Sequence, residues 1–451
     1  MARKIIVIGS GAAGMTAAST ARRKDPKAEI TVFTEDEHVA YSPCVIPWAI
    51  EGTVPWDDVV IHDPAFYKKN RDITVRTKTR VDSVDNKRKV VAASGGEYPY
   101  DSLIVATGGS PFVPPIPGKD LEGVFTVRTV NDGRAIQKAL KGVESVVIGG
   151  AGVIGLEMAL ALSGMGRDVT VVEMMGQVIP RLADPDVAAP VKEYLEGKGI
   201  RFEMGAPIQA VNGKGSVESV VAGGKEFPCG MVIFATGVRA NLEIPRMLEL
   251  DVGHLGGVLV SPSMMPYSRG RPVENVFLAG DVVQCVSAVN GGAAMSQLGS
   301  TAVRQGIVAG SNAAGVPDST GPVSSPWVSV LGDLQVAGAG FSESLASWYG
   351  MSTVSGKAEG HTRARYYPGG KPLTVKILAD ARTHRVVGAQ VVSGEDATGR
   401  INWLSSAISE GVSAEEFLYR SENAYCPPTS MVRDVVLQAA EALCDKLRKV
   451  I

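Results

Sequence analysis

Residues 5–14 read IIVIGSGAAG, and residues 15–24 continue as MTAASTARRK. An apolar run that enters three spaced glycines and then a stretch of small, helix-favouring residues spells strand, tight turn and helix. The glycines serve different ends, since Gly9 lets the chain turn, Gly11 leaves room for a pyrophosphate to approach the backbone, and Gly14 lets the helix pack closely. The helix start, from Ala12 onward, then offers unpaired N–H groups to phosphate. The next strand, EITVF at 29–33, ends at Thr34 and Glu35, near the spacing at which an acid meets a ribose hydroxyl.

The pattern occurs a second time. ESVVIGGAGVIGLE, residues 144–157, carries Gly150, Gly152 and Gly155, and DVTVVE ends on Glu173. Two matches, each followed by its acid, imply two bound dinucleotides. Glu173 repels a 2′-phosphate, and Met174 and Met175 supply no cation for one, so NAD(H) is favoured over NADP(H) at the second turn. Three more strands end in a glycine bend: YDSLIVATGG with Thr107 and Gly108, MVIFATGVRAN with Gly237, and ENVFLAGDV with Gly280 and Asp281. Ligands of parallel sheets gather at such strand ends.

Length and composition set the outer limits. A chain of 451 residues with 45% hydrophobic content exceeds one ordinary core and calls for two or three domains. The net charge of −2 gives no field that would attract nucleic acid or an acidic membrane surface. The longest uncharged run, Val282 to Val303, is broken by Asn290, Gly291, Gly292, Ser296 and Gln297 and makes a poor membrane span. The start lacks the long apolar region and cleavage site of a secretory signal, so a cytoplasmic location is expected. The five cysteines, Cys44, Cys229, Cys285, Cys426 and Cys444, show no CxxC or Cys/His spacing, so neither a metal site nor a disulfide framework is indicated.

After residue 327 the nucleotide-type glycine turns stop. LTVKILAD and RVVGAQVVSG read as two strands of a hairpin or meander, INWLSSAISEG as a helix, and Val432, Val435, Val436, Ala439, Leu443 and Leu447 as the buried face of a last helix.

Taken together, these motifs resemble the pyridine nucleotide-disulfide oxidoreductases over essentially the whole chain, and most closely their single-cysteine branch of NADH oxidases and coenzyme A-disulfide reductases. The resemblance implies an α/β chain with two Rossmann-like dinucleotide-binding domains, for FAD and NAD, and a C-terminal α+β dimerisation domain. FAD would be held by residues 1–112 and 250–325, through the first glycine turn, Ser42, Thr107, Gly108 and the Gly280–Asp281 motif. NAD would be held by residues 113–249, with Gly237 among the cofactor-binding residues, and residues 326–451 would form the homodimer interface. RARYYPGG and AYCPPTS match motifs that lend tyrosines to the partner's active site in that branch, which points to Tyr425, with Tyr366 and Tyr367 as candidates.

The same resemblance singles out Cys44 in YSPCVIPW, residues 41–48. Pro47 is compatible with a short helix beginning just after the sulfur, a setting that favours thiolate. No second cysteine follows five residues on, so the sulfur would cycle alone, through a sulfenic acid or a mixed disulfide with a small thiol. Oxidases of the branch carry a histidine where Ala12 stands here, which counts against oxygen reduction. Coenzyme A-disulfide reductases share Thr16 and Arg23 as substrate contacts, but differ at Thr20, Ala40 and Pro43. The expected function is therefore passage of hydride from NADH through FAD to Cys44 and on to a disulfide, polysulfide or related acceptor. Tyr41, Ser42 and Pro43 also resemble flavoproteins that reduce protein partners. That alternative makes the chain the NAD-linked flavin subunit of an iron–sulfur enzyme, with the cluster on another subunit and Cys44 incidental. A further expectation places Cys426 near the partner's Cys44 as a resolving thiol.

Overall fold

The computed structural model describes residues 2–449. The run KIIVI becomes the central strand of a five-stranded parallel sheet, ordered Val276–Leu278, Ser102–Val105, Lys4–Ile8, Glu29–Phe33, Ile73–Arg76. All four residues of Ser102–Val105 are buried, as expected where both faces of a parallel sheet are covered. Helix α1, Ala12–Lys24, covers one face and packs tightly on helix Gly299–Ala313. The approach is close because Gly306 and Gly310 face it: a β-carbon there would stand 2.5 Å from the Ala13 carbonyl and 2.2 Å from the Ala17 carbonyl. Two segments nearly three hundred residues apart thus build one nucleotide-binding unit.

The second unit repeats the plan. Its parallel sheet runs Arg201–Met204, Asp168–Glu173, Ser145–Gly149, Met231–Phe234, Val124–Thr126. Each unit also carries a three-stranded antiparallel sheet, Val81–Asp85, Val90–Ala93, Gly96–Pro99 in the first and Ile208–Asn212, Ser219–Ala222, Lys225–Pro228 in the second. Two short helices matter for the site: α2, Ile46–Glu51, which follows a 3₁₀ turn at Pro43–Val45, and α3, Val130–Ala139, started by a Thr129–Asp132 capping box. Helix α4, Val153–Gly164, follows the second glycine turn.

The C-terminal unit is an antiparallel sheet ordered Trp327–Leu331, Leu334–Gly340, Val386–Ser393, Pro372–Asp380, Thr353–His361, packed against helices Ala397–Glu410 and Val435–Leu447. The hairpin and both helices expected from the sequence are present. Val432 is a correction. It lies before the last helix and is 71% exposed, because Asp434 caps that helix through the Val436 N–H and pairs with the buried Arg400, so the helix starts later than periodicity suggests. The α/β architecture of two Rossmann-like units and a C-terminal α+β unit is the one expected.

A buried ion cluster ties the second unit to the third. Lys376 Nζ lies 3.1 Å from Asp184, 2.8 Å from Asp186 and 3.1 Å from Glu343. Burial pulls this ammonium down, and the surrounding carboxylates more than offset it, leaving its pKa above the ordinary value.

Where strand Thr353–His361 meets the last helix, a β-carbon on Gly356 would fall 2.3 Å from the Ala439 carbonyl and 2.3 Å from the Leu443 nitrogen. Gly356→Ala is expected to destabilise the C-terminal unit by about 1–3 kcal/mol, read as an earlier transition in chemical denaturation.

Candidate active site

A continuous cleft of about 2890 Å³ runs between the three units. It takes in Gly9, Gly11, Ala12, Thr16, Arg23, Thr34, Glu35, Ser42, Cys44, Thr107, Gly108, Gly280 and Asp281. These residues come from the first segment and from the return of the chain at 276–281, joined by the pairing of Val276–Leu278 with Ser102–Val105.

The glycine turns test whether dinucleotides fit. Gly9 has φ +107°, and a β-carbon there would lie 2.1 Å from the Ala106 carbonyl; one on Gly14 would lie 2.0 Å from the Gly9 carbonyl. A β-carbon on Gly11 would meet nothing within 4 Å. The second turn repeats this at Gly150, Gly155 and Gly152. In both turns the outer glycines are required by backbone contact, and the middle one faces open space, as a pyrophosphate needs. Helices α1 and α4 begin at Gly11 and Gly152 with no side-chain cap and no acidic residue in the first turn. Some other helices are capped by side chains, at Asp63, Thr129, Ser342, Asp396, Ser413 and Asp434, while others, such as Pro185–Gly197 and Gly299–Ala313, are not. The two bare helix starts suit an anionic group.

The remaining sequence candidates divide by position. Thr107 Oγ1 donates to the Asn241 carbonyl at 3.1 Å, and Ser10 donates to Thr34 at 3.0 Å. Glu35 is exposed, 3.9 Å from the Arg80 guanidinium. Gly150, Gly152, Gly155, Glu173 and Gly237 lie outside the cleft lining, although Val153, Met175 and Val238 beside them belong to it. Glu173 is buried, and its carboxylate already accepts the Ala151 and Met175 N–H groups at 2.8 Å each. Tyr425 is on the surface of the C-terminal unit, away from its own chain's cleft, where it pairs with the Tyr366 hydroxyl; that bond holds its phenol above the ordinary value. Tyr366, Tyr367 and Cys426 are exposed in the same unit.

Cys44 is exposed and lines the cleft. Its neighbour Tyr41 donates to Asp36 at 2.7 Å, and burial with that carboxylate pushes the phenol well above its ordinary range. Cys229, Cys285 and Cys444 are buried, and burial raises all three thiols, Cys229 and Cys444 to about 11. Sequence reasoning assigned no role to three further cleft residues. Arg128 pairs with Asp281 at 2.8 Å, Arg71 donates to Ser19 at 2.7 Å, and Glu157, near the start of α4, accepts from Ser329 at 2.7 Å. No group of three or more metal-ligating side chains is gathered among the described residues, and no helix among them is long and apolar enough to cross a membrane.

A fold of two glycine-turn units meeting at a thiol-bearing cleft defines a dinucleotide-dependent oxidoreductase. Residues 3–306 match the pyridine nucleotide-disulphide oxidoreductase family and residues 326–435 match its dimerisation domain, and the chain belongs to that family. It is 44% identical over 452 residues to an NADH oxidase of Methanocaldococcus jannaschii, with 98% of this chain and 99% of that one covered. It is 33% identical over 447 residues to an NAD(P)H coenzyme A polysulfide/persulfide reductase of Pyrococcus horikoshii, with 98% and 99% covered. Among solved structures, a NAD-dependent persulfide reductase from A. fulgidus superposes with a TM-score of 0.95 at 33% identity, covering 99% of this chain and 84% of that chain. The protein is an FAD- and NAD(P)H-dependent oxidoreductase.

Glu157 gives this site a pH signature. Burial raises its carboxyl from 4.5 to about 6, with the Ser329 hydroxyl opposing part of that shift. A raised folded-state pKa stabilises the fold below the unfolded value, and that contribution is lost as pH rises through the folded one. The unfolding free energy of wild type relative to Glu157→Gln should therefore be greatest below pH 4.5 and fall as pH passes about 6. The expected loss is about 2 kcal/mol, measured by denaturation at a series of pH values.

Proposed function

We propose that the chain is a homodimeric NADH-dependent reductase of disulfide, polysulfide or related sulfur acceptors, with Cys44 as the working thiol. The observation that carries this reading is the position of Cys44: of the five cysteines, it is the one exposed along the cleft that the first glycine turn opens into. The names of the Pyrococcus and A. fulgidus relatives support sulfur acceptors.

The residues divide the work. FAD, when bound, supplies two-electron exchange between reduced nicotinamide and sulfur. Gly9, Gly11 and the start of α1 would hold its pyrophosphate. Thr34 and Glu35 would reach its ribose, and Ser42, Thr107, Gly108, Gly280 and Asp281 would hold the rest, with Arg128 keeping Asp281 in place. Gly150, Gly152, Gly155 and Gly237 would seat NAD. The lone pairs that Glu173 keeps beyond its two backbone N–H partners suit ribose hydroxyls, and Met174 and Met175 offer a 2′-phosphate no cation, which favours NAD(H) over NADP(H).

At the sulfur, the Cys44 thiolate attacks one atom of an incoming S–S bond. A mixed disulfide forms on Cys44 and the other sulfur leaves as thiolate; two electrons from NADH later cleave the mixed disulfide, which releases the bound half of the acceptor as a second thiolate and restores the Cys44 thiolate. Thr16, Ser19, Arg23 and Arg71 line the cleft on the α1 side, so an acceptor bearing negative charge would be drawn in there. Tyr425 would act across the dimer on the partner's site. Ala12 puts no proton donor at the first turn, which favours sulfur over oxygen as acceptor.

Cys44→Ser should lower NADH oxidation with polysulfide and with coenzyme A disulfide by about a hundredfold or more, while NADH oxidation by a flavin-accepting dye stays within about twofold of wild type. Steady-state assays with each acceptor measure this. Full retention of the sulfur activities would remove Cys44 from the mechanism and favour an electron-transfer subunit that serves an iron–sulfur partner.

A further inference from the structure

Cys44 belongs to the first segment of the chain, yet the helix that follows it is built into the core of the second nucleotide unit. Ile46 and Ile50 of α2 are both 0% exposed and share one buried cluster with Ile136, Leu140, Ile148 and Leu156. Helix α2 has only six residues, too few to hold its own shape, so its place is set by what it packs on. Its packing partners are α3 and α4.

Two residues of α3 make the contact specific. Gly133 leaves no room for a side chain: a β-carbon there would stand 2.7 Å from Ile46 Cγ2 and 2.6 Å from the Trp56 ring. One turn later, Gln137 Nε2 donates to the Ile50 carbonyl at 2.9 Å and reaches that of Ala49 at 3.4 Å, while its Oε1 accepts the Trp56 indole N–H at 2.9 Å. The last carbonyls of a helix have no partners within it, so Gln137 satisfies from outside what α2 cannot satisfy itself. The amide is fully engaged, and its links span 81 and 87 residues of chain.

We infer that Gln137, with Gly133, is a positioning residue for Cys44: the second nucleotide unit, through α3, fixes α2 and with it the place of the sulfur in the cleft. The inference rests on the reading of Cys44 as the working thiol, but the placement is measurable from thiol chemistry alone. A sulfur held by an anchored helix keeps one environment, and releasing the anchor changes both its reactivity and the pH at which it reacts.

The test is the rate of iodoacetamide alkylation of Cys44 against pH, in the holoenzyme with Cys426→Ser so that the other exposed thiol is absent. Gln137→Met removes all three hydrogen bonds, Gly133→Ala pushes Ile46 away, and Trp56→Phe removes only the indole donor. The expected result is a change of about fivefold or more in the neutral-pH rate, with a displaced pH midpoint, for Gln137→Met and Gly133→Ala, and a smaller change for Trp56→Phe. Wild-type rates and midpoints in both Gln137→Met and Gly133→Ala would overturn the inference. Circular dichroism confirms folding; if Gln137→Met does not fold, Gly133→Ala decides, and its wild-type behaviour overturns the inference equally. Retained sulfur activity in Cys44→Ser would defeat the proposed function and leave the alkylation result standing.

Discussion

The cleft exists because a helix can begin almost on top of the turn that precedes it. At Gly14 a methyl group would lie 2.0 Å from the carbonyl of Gly9, and at Gly155 it would lie 2.0 Å from that of Gly150. No side chain can move aside to relieve such contacts, since the clash is with backbone on both sides. Each helix start is therefore held against the carboxyl end of its sheet, with N–H groups facing outward and Gly11 or Gly152 leaving space in front of them. The first helix start lies on the cleft at Gly11 and Ala12, and the second borders it through Val153 and Ile154, so the proposed dinucleotide sites would be neighbours.

Keeping those two units in register requires that they share structure. The cluster that contains Ile148 and Leu156 of the second unit also takes in Ile46 and Ile50 from the first segment and Leu331, Val336 and Val392 from the C-terminal sheet. One apolar core thus crosses all three units, and slippage between them would expose it. The Lys376 cluster adds direction to this. Asp184 is fully buried and accepts from Gln390, the Glu343 N–H and Lys376, so losing Lys376 would leave its charge uncompensated in a dry place. Apolar burial supplies the adhesion between units, and the buried ions specify a single arrangement.

Much of this was legible in the sequence, because the rules that govern a glycine turn are local. Gly9, Gly11 and Gly14 announce a turn through backbone sterics alone, and the same holds at Gly150, Gly152 and Gly155. What stayed hidden was every contact made by distant partners. Arg128 meets Asp281 across 153 residues, and Glu157 meets Ser329 across 172. No periodicity encodes such a pair, and an arginine before a capping box reads as an ordinary surface charge. Val432 shows the opposite failure: its apolar spacing fits the helix, but the Asp434–Arg400 pair decides where the helix starts.

Cys44 shows why chain order and spatial order must be kept apart. By sequence it belongs with the first glycine turn, and it lines the same cleft as the residues of that turn. By packing, the helix that carries it onward belongs to the second unit. A thiol at such a seam answers to both neighbours at once: the first unit forms the cleft into which it opens, and the second holds it still. Cys229, Cys285 and Cys444, each enclosed within the fold, are kept protonated by burial and are withdrawn from thiol chemistry. Placing the one cleft-lining sulfur where two nucleotide units meet ties its reactivity to their alignment, so a change in how the units sit together would reach Cys44 through a six-residue helix, with no other element between.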